Sequence, residues 1–121
     1  VSVGVGVTPT IAMLPTATQE RPRVAVFHGD HSSETFPFKQ YIEETVLEAG
    51  GILNVSYSRE KGVNSPHVSE GRLTGAKIIE ALEKENLDYK TGVDFFICAG
   101  ATASPMIYKD LHAAGVSKDC L

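Results

Sequence analysis

Val1-Ser2-Val3-Gly4-Val5-Gly6-Val7-Thr8-Pro9 opens the chain, and a helical pattern through Ile11, Ala12 and Leu14 follows it. A short β-branched run, a pair of glycines and then a helix is the start of a parallel βα unit. Glycines at such a bend let the backbone turn tightly and approach a diphosphate. The amides and dipole of the helix start would meet the diphosphate's charge. Pro9 suits the first helical turn, where its missing N–H has no intrahelical partner. The plainer reading is an ordinary strand-to-helix bend that uses glycine for positive φ. A lone Gly-x-Gly does not separate the two. Pro15 should kink or shorten this helix within two turns.

Three further apolar runs lie beyond this opening. Val24-Ala25-Val26-Phe27 ends at His28-Gly29-Asp30, Ile52 to Tyr57 follows Gly50-Gly51, and Val93 to Cys98 ends at Gly100. Continuous apolar strands suit a sheet covered on both faces. Between them the period changes. Phe38, Tyr41, Ile42, Thr45 and Val46 predict a helix over residues 33–49, ended by Gly50. Leu73, Ala76, Ile79 and Leu82 mark a second helix, and Ile107, Leu111 and Ala114 a third that Gly115 closes. Arg59 to Ser69, with Gly62, Asn64 and Pro66, reads as one long loop. The expected fold is α/β, a Rossmann-like three-layer domain with a mostly parallel sheet. Val1-Ser2-Val3 reads as the end of one strand and Cys120-Leu121 as the start of another, so the first and last strands read as truncated.

Composition narrows the function. A chain of 121 residues fits one domain. Eleven Lys and Arg against fifteen Asp and Glu leave a net charge of −4, a poor match to a phosphate backbone, so nucleic acid is not an expected partner. No apolar run approaches the roughly 18 residues that span a bilayer. The opening residues lack the basic region of a signal peptide. Cys98 and Cys120 alone make no disulfide framework, which predicts a reducing, cytoplasmic compartment.

Gly4-x-Gly6-x-Thr8-Pro9, His28-Gly29, Tyr57-Ser58-Arg59, Gly71-Arg72-Leu73 and Phe96-Ile97-Cys98-Ala99 follow one another, and Asp110 to Val116 continues the series. This order resembles ferredoxin–NADP reductase-like NAD(P)-binding domains. It is most similar to the reductase portion of flavohemoglobins and related NAD(P)H-dependent flavoprotein oxidoreductases. The resemblance covers nearly the whole chain. It implies that residues 1–121 are the NAD(P)-binding domain of such an enzyme, with about five strands in the intact family and the flavin-binding domain absent.

The resemblance also implies roles. Gly4, Val5, Gly6, Val7, Thr8 and Pro9 would hold the pyrophosphate, with Thr8 towards the nicotinamide. His28 and Gly29 belong to the same cofactor-binding set. Ser58 and Arg59 would contact the adenosine ribose with help from Lys61. An arginine there pairs well with a 2′-phosphate, which favours NADP over NAD. Cys98, Ala99 and Gly100 would lie against the nicotinamide where hydride leaves for the flavin, making Cys98 and Thr8 the catalytic candidates. Val3 stands where the family usually has glycine, Ala99-Gly100 where it has Gly-Pro, and Ala103-Ser104 where it has Phe-Met. The implied function is to bind NAD(P)H and pass hydride to FAD on a neighbouring domain, feeding a heme or iron–sulfur acceptor. The chain alone would be inactive. The alternative is a non-catalytic Rossmann-like module that senses a nucleotide or docks to a partner.

Rival assignments concern single residues. Asp30 lies 21 positions after Pro9, close to the spacing of an acidic residue that grips a ribose 2′-hydroxyl, which would favour NAD. His28-x-x-His31 resembles a metal pair but lacks further donors, so no metal is expected. Asn54-Val55-Ser56 is a formal glycosylation sequon inside a predicted strand. No nucleophile elbow marks a hydrolase. Replacing Gly6 with Val should block the diphosphate while sparing the fold.

Overall fold

Four parallel strands lie side by side in chain order: β1 (Ser2–Val3), β2 (Ala25–Asp30), β3 (Ile52–Tyr57) and β4 (Val68–Glu70). They belong to a computed structural model that describes residues 1–20, 24–63 and 65–121; Asn64 falls outside these. The helices are α1 (Thr8–Glu20), α2 (Lys39–Glu48), α3 (Gly75–Lys84) and α4 (Ala103–Ala113). The alternating side chains of β2 show why the sheet needs two covers. Val26 packs with Leu14, Ile42 and Val46 of α1 and α2, whereas Phe27 packs with Ile78, Leu82, Ile107 and Leu111 of α3 and α4. This is the expected three-layer α/β arrangement.

Residues 93–98 differ from expectation in form. They run beside β1 on the side away from β2, but make a single parallel bridge, Ser2 with Cys98. Cys98 N donates to the Val1 carbonyl (2.9 Å) and Val3 N to the Cys98 carbonyl (3.2 Å). A two-residue β1 offers too little edge for a longer ladder. On its far side Phe95 N donates to the Cys120 carbonyl (2.7 Å), while Lys118–Cys120 close into a 3-10 turn. From β1 the chain therefore steps outward through β2, β3 and β4. It then returns to the opposite side of β1, and the sheet order reverses there.

Three other details depart from the sequence pattern. The helix expected over 33–49 is split: Ser33–Thr35 form a 3-10 turn, Phe36 is extended, and α2 starts at Lys39. Pro37 explains the break, because its ring disfavours helical geometry at the residue before it. The loop expected over 59–69 ends in β4, held to β3 by the Ser56–Ser69 hydroxyl pair (2.9 Å). Pro15 lies inside α1 on an exposed side, and the helix continues through it. Burial of Ile11 and Leu14 against the core works against the ~3 kcal/mol that an interior proline costs.

At the end of β3, Tyr57 is 1% exposed, and its hydroxyl has no hydrogen-bond partner among the described residues. Burial, helped by Glu43, Glu60 and Asp30, pushes its pKa up to about 12. Tyr57→Phe should therefore leave stability unchanged or raise it by up to about 1 kcal/mol, because an unpaired buried polar group disappears. Urea melts of the two proteins check this; a clear loss of stability would show that the hydroxyl is satisfied.

Candidate functional site

β1 delivers the chain into a 3-10 turn, Gly4–Val7, that runs directly into α1. The two glycines serve different ends. Gly4 has φ +57 with open space where a side chain would stand, so conformation selects it. Gly6 faces the neighbouring track so closely that a Cβ would overlap the Cys98 carbonyl oxygen. That position corrects an expectation: a side chain at Gly6 collides with the fold itself, before any ligand is considered. The glycine turn and the Cys98 edge thus touch at the carboxyl rim of the sheet, on either side of the point where its order reverses.

This rim is open. Val5 is 85% exposed, and Thr8, Pro9, Gly100, Ala101 and Thr102 are exposed around it. The Thr8 hydroxyl donates to the Val5 carbonyl (3.1 Å). Val7 points away into the core. Across the crevice, the Ser104 hydroxyl donates to the Ala99 carbonyl (2.8 Å) and accepts from the Ala99 amide (3.1 Å). Ser104 therefore clasps the strand end that β1 also holds. A cavity of about 470 Å³ lies at the opposite, amino rim, lined by apolar residues such as Met13, Val26, Phe27 and Phe96. It is distinct from the crevice.

Further along the carboxyl rim, Ser58 N donates to the Asp30 carbonyl (2.9 Å) and Arg59 N to the His31 carbonyl (2.8 Å), which pins the exit of β3. Ser58, Arg59 and Lys61 are exposed. Glu60 is occupied, accepting from the amide (2.6 Å) and hydroxyl (3.0 Å) of Ser33. Among the described residues the Arg59 guanidinium has no carboxylate partner. Among the described residues Arg59 and Lys61 are thus two cations without a carboxylate partner where the chain exits β3.

His28 and Gly29 lie beneath the rim rather than on it. Gly29 is buried against Leu73 and Val3. The His28 ring is 0% exposed and stacked on Phe36, with ring centroids 4.1 Å apart. Its Nδ1 meets the buried Ser2 hydroxyl (2.8 Å) and its Nε2 meets Asp30 Oδ2 (3.0 Å). Asp30 Oδ1 accepts from the His31 amide (2.9 Å) and the Thr35 hydroxyl (2.6 Å). Both Asp30 oxygens are therefore engaged internally, which argues against Asp30 as the ribose-gripping acid. Among the described residues no group of three or more His, Cys, Asp or Glu is placed to hold a metal ion.

Burial lowers the pKa of His28 against the opposing pull of Asp30, so the ring is neutral. Burial alone would raise Asp30, but hydrogen bonds from Thr35, His28 and the His31 amide outweigh it and hold the carboxyl below its usual value. Both groups have folded pKa values below their unfolded ones. Their stabilisation is present above the unfolded values of 6.5 and 3.8 and is lost as pH falls through the folded values. Urea midpoints should accordingly decline as pH falls below 6.5 through His28, and again below 3.8 through Asp30. A flat profile would contradict these assignments.

Sequence reasoning missed Ser2 and Ser104 as supports of the site. The Asp30 signal was present, because residues two apart on a strand share a face and His28 is one of them. Ser2 and Ser104 needed the register between strands.

No family model matches the chain, and no curated protein matches it in sequence. Among solved structures it superposes on the crystal structure of the flavohem-like FAD/NAD-binding domain of nitric oxide dioxygenase from Vibrio cholerae O1 biovar El Tor, with a TM-score of 0.81 and 27% identity over 98% of the chain. The chain has the fold of the matched part of that flavohemoglobin-like FAD/NAD-binding domain. The chain spans 46% of that structure's length. In this flavohemoglobin-like fold the described residues contain no helix long and apolar enough to cross a membrane.

Proposed function

We propose that this chain binds NAD(P)H and presents its nicotinamide for hydride transfer to an FAD on a neighbouring domain, as the NAD(P)-binding part of an NAD(P)H-dependent flavin oxidoreductase. The observation that carries this reading is the meeting of Gly6 with the Cys98 carbonyl where the sheet order reverses, in a chain that superposes on an FAD/NAD-binding domain. Open α/β sheets take their ligands at that point of the carboxyl rim. The residues present suit a dinucleotide. The first turn of α1 carries no acidic residue, so nothing there repels a diphosphate from the helix start. Gly4 and Gly6 keep side chains away from the same bend.

Bound there, the nicotinamide would supply a hydride and the flavin would accept it. The chain's own part is placement. Within the Gly4–Pro9 bend, backbone amides ahead of Pro9, which itself has no N–H, would hold the pyrophosphate. Cys98, Ala99 and Gly100 form a wall for the nicotinamide, and Thr8 offers a hydroxyl on its other side. That wall is stiff because Val1, Val3 and Ser104 each hydrogen-bond its backbone. Rigid orientation is what a direct transfer between two rings demands. Arg59 and Lys61, with Ser58, receive the adenosine end and favour a 2′-phosphate. A heme or iron–sulfur acceptor on another domain would then take the electrons from the flavin.

Calorimetric titration of the chain with NADPH and NADH tests the binding half of this reading; saturable binding of at least one is expected. Mixing the nucleotide-loaded chain with a flavin domain and following FAD bleaching tests the transfer half. Binding without bleaching would favour the nucleotide-sensing module, and no binding at millimolar concentration would favour a docking module.

A further inference from the structure

The buried Ser2–His28–Asp30 series has the residue types of a hydrolytic triad but no route for a substrate, since Ser2 and His28 are both 0% exposed. Its proton arrangement is nonetheless fixed. The Asp30 carboxylate can only accept, so His28 Nε2 donates to it, and Nδ1 keeps a lone pair that accepts from the Ser2 hydroxyl. Ser2 stands two residues ahead of Gly4, on the strand that bridges to Cys98. The other Asp30 oxygen holds the His31 amide and Thr35, and His31 Nδ1 meets the Ser58 hydroxyl (3.2 Å) beside Arg59.

We propose that His28 is a positioning residue for the dinucleotide crevice, fixing through Ser2 the strand that feeds the glycine turn and through Asp30 the rim beside Arg59. This rests on the NAD(P)H-binding reading above. Buried polar series that are fully satisfied rigidify what they join, and a rigid first contact layer depends on such support. β1 is only two residues long, so a side-chain tie to β2 contributes more here than it would in a long ladder. Protonated His28 could no longer accept from Ser2. Among the described residues the charged groups acting on the ring are Asp30 and the Val1 amino group just ahead of β1; Ser2, Thr35 and Phe36 bring no charge.

Variants separate the two arms. In His28→Gln an amide nitrogen takes the place of Nε2 and keeps the Asp30 bond but not the acceptor for Ser2. In His28→Asn the amide takes the place of Nδ1 and keeps the Ser2 arm. Dissociation constants of NADPH are measured by titration of the 121-residue chain across pH, with a thermal melt of each variant. Ser2→Ala and His28→Gln should bind about tenfold more weakly, as losing a supporting partner does elsewhere, and His28→Asn less so. The parent should lose affinity as pH falls below the range where His28 is neutral, and His28→Gln should lack that limb. Parent-like binding by Ser2→Ala and His28→Gln would overturn the proposal. So would affinity losses that track melting temperature with an unchanged pH profile. If His28→Gln does not fold, Ser2→Ala decides alone. Failure of the parent itself to bind NADPH or NADH would overturn the reading beneath, a result distinct from both.

Discussion

Gly6→Ala is expected to destabilise the domain by about 3 kcal/mol or more, in the upper range of overpacking effects. The new methyl has nowhere to go. Its nearest neighbours are the carbonyl oxygen and carbon of Cys98 and the amide nitrogen of Ala99, all backbone, so no flexible side chain can yield. Relief requires β1 and the 93–98 track to separate, which strains the Val3–Cys98 and Cys98–Val1 hydrogen bonds. Gly6→Val should be worse still. Gly4→Ala is the control: space is open there, and only the left-handed φ opposes it, at about 1–2 kcal/mol. Urea melts of the three variants check the order. Parent-like stability for Gly6→Ala would mean that the turn and the Cys98 edge are not in contact.

Arg59→Ala should weaken NADPH by about 1–3 kcal/mol, roughly ten- to a hundredfold, while NADH binding changes much less. The local charge supports this. Glu60 beside it is hydrogen-bonded to Ser33, and Asp30 is closed into the His28 series, so neither forms an ion pair with the guanidinium. A dianionic 2′-phosphate would meet a cation that lacks a carboxylate partner among the described residues, and Arg suits such a phosphate through its fork of donors. Lys61→Ala should have a smaller effect of the same sign. Paired titrations with the two nucleotides give the answer. Equal losses for NADPH and NADH would show that Arg59 does not distinguish them.

Much of this architecture was legible because it depends on local patterns. The glycine bend after a β-branched run and the unbroken apolar stretch at Val24–Phe27 are read along the chain. The helix marked by Leu73, Ala76, Ile79 and Leu82 is present as α3, but Leu73 precedes it, Ala76 is exposed, and Ile78 with Leu82 forms its buried side. The remainder depends on what lies beside a segment. β4 is three residues, Val68-Ser69-Glu70, with no apolar run to announce it; only pairing with β3 makes it a strand. The 93–98 stretch is apolar enough for a ladder, yet β1 offers it two residues. Pro37 was visible in the sequence, and the phenylalanines and tyrosine around it masked the break it makes. At the site, Gly6 was singled out for a ligand, whereas the register shows it faces Cys98. His28 was placed among cofactor contacts, but alternation along β2 turns its ring into the core, where Ser2 and Asp30 hold it.

The account stands or falls on a dinucleotide seated between the glycine turn and the Cys98 edge. Backbone amide shift mapping of the isotope-labelled chain during an NADPH titration reads that directly. The expected result is perturbation of Val5 to Thr8 together with Ala99 to Ala101, and of Ser58 to Lys61 at the adenosine end. Shifts confined to the amino-rim cavity around Val24 and Thr91, or no shifts at saturating nucleotide, would contradict it.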